Sequence, residues 1–215
     1  MQMRILDASD TDLEQAAAIL RRGGLVAFPT DTVFGLGANA RDRHAVACLA
    51  AAKERPADKP FSLLLPDPAT ARKIAVFSPQ AESLAAAFWP GALTLILPLR
   101  AKAPVAARVT AGRTSIGLRI PAHPVALALL ARFGAPLAVP SANVSGRPSP
   151  ADAAAAAAGL ADRADRIGAL ISAPPAPAGT ESTIIDLSAD PPRLLRRGAI
   201  AQDRIEARLE RPLTR

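Results

Sequence analysis

Two rhythms of apolar residues alternate along this chain: helical spacing, and short unbroken runs. Residues 11–20 carry acids in their first turn and are closed by Gly23 and Gly24, which predicts a helix. Residues 25–28 form a continuous apolar run ending at Pro29, the pattern of a buried strand. A helix is predicted over 42–52, and a strand over 61–65 that Pro66-Asp67-Pro68 stops. Ser78-Pro79 supplies the cap and first residue of a helix running to residue 88. Beyond Trp89-Pro90-Gly91, residues 93–97 and 115–120 return to strand character, and Pro124 opens a helix to residue 132. Residues 137–139 are a strand feeding the loop PSANVSGRPSP. Ser149, Pro150 and Asp152 then start a helix on the alanine tract 153–158, a good helix former with no chemistry of its own. Residues 173–179, APPAPAG, read as an extended loop within the domain. Strands over 167–171, 183–187 and 193–195 and a helix from Gln202 complete the pattern. Such alternation predicts an α/β domain with helices packed around a largely buried sheet.

Composition narrows the chemistry. Half of the 215 residues are hydrophobic, so the chain can bury a sizeable core, roughly 70% of its unfolded surface. A single cysteine excludes an intramolecular disulfide and a cysteine-rich zinc cluster. With two histidines and no tyrosine, covalent catalysis through Cys–His or Ser–His–Asp has few candidates. Cys48 and His44 fall in one predicted helix, and His123 at a helix start. No Walker-type phosphate loop is present, and Gly35-Leu36-Gly37 lacks the third glycine of a dinucleotide fingerprint. The N-terminal MQMRILDASD has no apolar leader and no 18-residue apolar run occurs, so a soluble, cytoplasmic protein with no membrane association is expected.

The formal net charge of +7 suits a polyanionic partner, either a phosphorylated small molecule or nucleic acid, although a general bias toward arginine and alanine explains it equally. Placement is more informative. Only four lysines occur, and Lys53 and Lys59 flank Arg55 within KERPADKP. That cationic loop and two small-polar loops, PTDTVFGLGANA from Pro29 and PSANVSG from Pro140, follow predicted helix or strand ends, where open α/β sheets build ligand crevices. A solvated helix C-terminus would account for the cationic loop by itself; its company with the other two favours a phosphate site.

These blocks, with WPGALTLIL from Trp89, VTAGRTSIGLRIPAHP from Val109, ESTIIDL from Glu181 and LLRRG from Leu194, resemble the YrdC-like threonylcarbamoyl-AMP synthases, in order and over most of the chain. The resemblance implies a single-domain twisted open sheet with flanking helices around a positively charged concave cavity, here residues 1–207, followed by a short basic tail over 208–215. It implies that L-threonine, bicarbonate and ATP, the last with Mg²⁺ neutralising part of the triphosphate, give threonylcarbamoyl-AMP and pyrophosphate. Downstream threonylcarbamoyl transferase machinery would then modify tRNA beside the anticodon, with direct tRNA contact left open. Carried over by position, Lys53 and Arg55 are the expected catalytic residues. Lys53, Arg55, Lys59, Thr110, Ser141, Asn143 and Arg196 are expected at ATP, and Thr30, Arg119 and Ser182 at threonine. No residue is assigned to a metal. Phe34 stands where many relatives carry tyrosine, and PFSLLLP lacks the histidine that longer relatives place near Leu64; Ser62 is the candidate replacement. The segment 55–60 is a candidate lid. A non-catalytic module on the same fold that binds double-stranded RNA or tRNA is the alternative, supported by the net charge and by the excess of four positive charges over residues 193–215.

Overall fold

The computed structural model describes residues 3–214. Its strands are β1 (Arg4–Leu6), β2 (Val26–Phe28), β3 (Gly35–Asn39), β4 (Ser62–Leu64), β5 (Leu93–Pro98), β6 (Ser115–Arg119), β7 (Leu137–Ala138), β8 (Ala169–Ile171), β9 (Thr183–Asp186) and β10 (Arg193–Arg196). Its helices are α1 (Asp10–Arg21), α2 (Arg43–Ala52), α3 (Pro68–Ile74), α4 (Pro79–Phe88), α5 (Ala107–Thr110), α6 (Pro124–Phe133), α7 (Ala153–Gly159) and α8 (Gln202–Leu209). The strands form one ten-stranded mixed sheet in the order β1-β8-β2-β3-β7-β4-β6-β5-β9-β10.

The helix starts follow from local chemistry. Ser9, Asp42, Asp67, Ser78 and Asp152 each accept a first-turn amide hydrogen bond, the N-cap role of short oxygen-bearing side chains. Asp67-Pro68 repeats the cap-then-proline signature of Ser78-Pro79, and starts α3 in a stretch that the sequence pattern leaves unassigned. α6 ends on Gly134, whose φ of 73° suits glycine. Residues 208–214, set apart above as a tail, pack on the domain: α8 extends to Leu209, Leu213 is buried and Thr214 bridges to Arg193.

Period-two alternation decides which face each strand residue serves. Val26, Phe28, Leu64, Leu137, Ala169 and Ile171 point into a core with α1 and α6. Ala27, Leu63, Ala138 and Leu170 point the other way, into a larger core that takes in α2, α4 and α8. In β5, β6 and β9, residues Leu93, Leu95, Leu97, Ile116, Leu118 and Ile185 continue the second core. Their alternates Thr94, Gly117, Arg119 and Ile184 therefore fall on the first face, in the half of the sheet that α1 and α6 do not cover. An apolar alternation becomes a polar one where the helices stop, and that uncovered half carries the cavity described below.

At the far edge Asp186 ties the β9–β10 hairpin. Burial alone would raise its carboxyl, but hydrogen bonds from the Ser188 hydroxyl (2.6 Å) and amide (2.9 Å) and from Arg193 (2.8 Å) outweigh that and hold it below the usual value. A depressed carboxyl stabilises the fold above its unfolded value and loses that contribution as pH falls through the folded one. Asp186→Asn is therefore expected to lower stability by about 1–2 kcal/mol at pH 7. In paired melts the gap to wild type should shrink steadily below about pH 4.

Candidate functional site

A cavity of about 180 Å³ opens on the uncovered half of the sheet. Ser62 and Leu64 of β4, Thr94 of β5, Arg119 of β6 and Ile184 of β9 form its floor; Thr30, Thr32 and Val33 after β2, and Val139, Pro140 and Ser141 after β7, form one wall. Arg55, Glu181, Ser182 and Arg196 complete the rim.

Arg119 is anchored most firmly. Its Nε donates to Gly91 O (2.9 Å), one terminal nitrogen donates to Thr32 Oγ1 (2.9 Å), and the other pairs with Asp31. Both partners of this ion pair are largely buried, with side chains 7% and 11% exposed. Burial lowers the Arg119 guanidinium from its ordinary value, Asp31 opposes that, and Arg196 adds to it; an arginine so shifted still carries its charge at neutral pH. Three of its five N–H groups are used, which leaves two for a ligand.

Arg196 is built the same way on β10. Nε donates to Ser182 O (3.0 Å), one terminal nitrogen donates to Ser182 Oγ (3.0 Å) and the other pairs with Glu181. Glu181 also accepts from Ser149 (2.8 Å), and Ser182 Oγ lies 2.8 Å from Thr94 Oγ1, so one polar chain links β5, β9 and β10. Burial lowers Arg196 too, against Glu181. Thr30 is buried and closes its own turn, donating to Val33 O at 2.7 Å.

Arg55 has no carboxylate partner among the described residues. It donates to Pro60 O (2.6 Å) and lies 4.8 Å over the Phe61 ring, with Arg108 at 5.3 Å from the same ring. Burial lowers it, and Arg108 lowers it further. Arg108 also donates to Pro56 O (2.8 Å) and Lys59 O (3.1 Å), so the candidate lid over 55–60 is held to α5 by one guanidinium group.

Of the residues expected from the sequence, Thr30, Arg55, Arg119, Ser141, Ser182 and Arg196 line this one cavity. Lys53 and Asn143 lie buried behind its wall and bond each other, Nζ to Oδ1 at 3.2 Å. Lys59 is exposed, and Thr110 is buried with its hydroxyl on Ala107 O (3.2 Å); neither lines the cavity. Ser62 lies on the floor, whereas Phe34 is wholly buried in the larger core. Asp31, Thr32, Thr94 and Glu181 were not singled out from the sequence. A signal existed for Thr94, a lone hydroxyl at an alternate position of an otherwise apolar strand. Asp31 and Glu181 stand beside residues that were singled out, and only their partners across the fold reveal them.

Comparison with known proteins identifies the family. The Sua5/YciO/YrdC family model, described as telomere recombination, matches residues 18–198. A threonylcarbamoyl-AMP synthase of Bacillus subtilis is 44% identical over 203 residues, 94% of this chain and 58% of that protein. One of Xanthomonas campestris is 38% identical over 159 residues, 73% of this chain and 84% of that protein. The crystal structure of P. abyssi Sua5 complexed with L-threonine superposes with a TM-score of 0.92 at 38% identity, covering 100% of this chain and 63% of that one. The chain thus spans less than two thirds of the length of its longer relatives.

Proposed function

Since the chain belongs to the Sua5/YciO/YrdC family, we propose that it is a threonylcarbamoyl-AMP synthase, a nucleotidyltransferase that joins L-threonine, bicarbonate and ATP. The observation that carries this reading is the convergence of three guanidinium groups, Arg55, Arg119 and Arg196, on one hydroxyl-rimmed cavity lined by no cysteine, histidine or lysine. A reaction without a protein nucleophile suits such a lining. The amino group of threonine takes up bicarbonate with loss of water to give a carbamate. A carbamate oxygen then bonds to the α-phosphorus of ATP as the bond to the β-phosphate oxygen breaks and pyrophosphate leaves. Catalysis in that step is positioning and charge stabilisation.

The two spare N–H groups of Arg119 suit the carboxylate of threonine, with the hydroxyls of Thr30 and Ser182, which line the same cavity, as its further contacts. Arg55, without a carboxylate partner among the described residues, and Arg196 suit the phosphates, with Ser141 on the nucleotide side; Asn143, Lys59 and Thr110 act from outside the lining. Mg²⁺ fits as cargo of the triphosphate rather than as a resident ion: the carboxylates at the cavity, Asp31 and Glu181, are each committed to a guanidinium, and no cluster of three metal-ligating side chains occurs among the described residues.

The RNA-module alternative fits less well. A groove for a nucleic-acid backbone presents its cations along a surface, whereas Lys53 and Arg119 are 2% and 6% exposed. No helix among the described residues is long and apolar enough to cross a membrane; a cytoplasmic setting, with hand-over of the product to a threonylcarbamoyl transferase acting on tRNA, completes the proposal.

Formation of labelled threonylcarbamoyl-AMP from [¹⁴C]threonine tests it, with pyrophosphate release followed in parallel. Product should require ATP, bicarbonate and threonine together, and exceed that from serine or valine. ATP binding without product would instead indicate another acceptor, and tight but steeply salt-sensitive RNA binding without turnover would favour the alternative.

A further inference from the structure

The lysine of the K-x-R element does not point where its arginine points. α2 ends at Ala52 with Lys53 as its C-cap, and Glu54 adopts a left-handed φ of 48°, which turns the chain so that Arg55 reaches the cavity while the Lys53 side chain runs behind the wall. There Nζ donates to Ser141 O (2.5 Å), to Asn143 O and to Asn143 Oδ1 (3.2 Å), all from the loop that follows β7. In return the Lys53 carbonyl accepts the Ser145 amide at 3.0 Å. One residue therefore grips the loop at both ends. An ammonium has three N–H donors, and three acceptors already face it, so none is left for a phosphate oxygen.

We propose that Lys53 is a positioning residue that sets the Ser141–Ser145 loop, and with it the Ser141 edge of the cavity, and that phosphate contact falls to Arg55 and Arg196 instead. The loop has few other ties on that side. Ala142 donates to Phe34 O (2.8 Å), and the Asn143 amide group turns inward onto Arg147 O (2.6 Å) and Val144 O (3.0 Å). Without the cation, three carbonyl-type oxygens would face one another in a buried space, which drives the loop apart. Burial first and Arg55 second push Lys53 down to about 7, with Glu181 opposing.

This inference rests on the phosphate-site reading only for its binding arm, so the test has two readouts. Lys53→Met, Asn143→Ala and Arg55→Met are compared by amide hydrogen exchange and by calorimetric binding of inorganic pyrophosphate. Lys53→Met should speed exchange at Asn143 and Ser145 at least 10-fold and weaken pyrophosphate less than about 3-fold. Arg55→Met should do the reverse, weakening pyrophosphate 10-fold or more with the loop amides unmoved. Asn143→Ala, which removes one acceptor from the loop's side, should free the same amides as Lys53→Met, and it carries the test should Lys53→Met fail to fold. Loop amides unchanged in both Lys53→Met and Asn143→Ala would overturn the proposal, as would a pyrophosphate loss in Lys53→Met equal to that of Arg55→Met. Absence of pyrophosphate binding in the wild type would count against the synthase reading and leave the exchange arm to judge the loop.

Discussion

Arg119→Lys is expected to lower kcat/KM for threonine by about 10²–10³-fold, roughly 3–4 kcal/mol at 1.4 kcal/mol per tenfold. The guanidinium fills three fixed directions, toward Gly91 O, Thr32 and Asp31, and offers two further N–H groups to the cavity. A lysine ammonium has three donors, a shorter reach and no planar fork. It can stay on Asp31 or meet a carboxylate in the cavity, and it loses the two-pronged grip either way. The loss should fall on the KM for threonine, with the KM for ATP within about 3-fold of wild type. Pyrophosphate release measured against each substrate in turn checks this, and a loss carried by ATP would move Arg119 to the nucleotide side. Arg119→Ala should differ in kind. It leaves Asp31 buried without its cation, a defect that costs about 3–5 kcal/mol of stability, so its melting temperature should fall as well as its activity.

Gly198→Ala should be nearly as damaging without touching a ligand. A Cβ there would lie 2.4 Å from Glu181 O and Ser182 C and 2.5 Å from Thr183 N. All three are backbone atoms of the segment entering β9, whose Glu181 and Ser182 seat the Arg196 side chain, and the neighbouring Ala199 amide already bonds Glu181 O at 3.0 Å. That segment must shift, and Ser182 O, Ser182 Oγ and Glu181 shift with it, so the Arg196 guanidinium loses its seat. Overpacking of this kind costs about 1–3 kcal/mol or more. A fall in melting temperature of about 5–10 °C should accompany at least a 100-fold loss of kcat/KM. Gly35→Ala is the control: its Cβ would meet the Val139 Cγ1 methyl at 2.4 Å, a side-chain atom. Val139→Ala in the same chain should restore much of that loss, whereas no side-chain truncation can relieve Gly198→Ala.

The sequence pattern located α1, α2, α4 and α6 to within about a residue because each has a capping residue, a proline or a glycine at its ends. It missed β1, whose Arg4–Leu6 is three residues long with only Leu6 buried. It read β3 as part of a ligand loop, because GLGAN has two glycines and low strand propensity. Those glycines serve packing: a Cβ on Gly37 would lie 2.7 Å from the Phe28 ring. In the cavity, the blocks carried Thr30, Arg55, Arg119, Ser141, Ser182 and Arg196 to one place. The direction of Lys53 was not legible, since it depends on the left-handed turn at Glu54 and on a loop 88 residues further along the chain. Nor was the pairing of each deep arginine with a carboxylate, which spans 88 residues for Asp31–Arg119.

The strand order also sets a timetable for the growing chain. β2 gains its second neighbour only when β8, Ala169–Ile171, has been made, and β5 waits for β9, Thr183–Asp186. Until then two apolar strands each keep an open edge, and unpaired edges recruit other chains. Long-range ladders of this kind are slow to close, because their loop entropy falls due before the contacts reward it. A ribosome that stalls before residue 183 would therefore release a chain with the first core largely assembled and β5 still unpaired on one side, the form most in need of a chaperone.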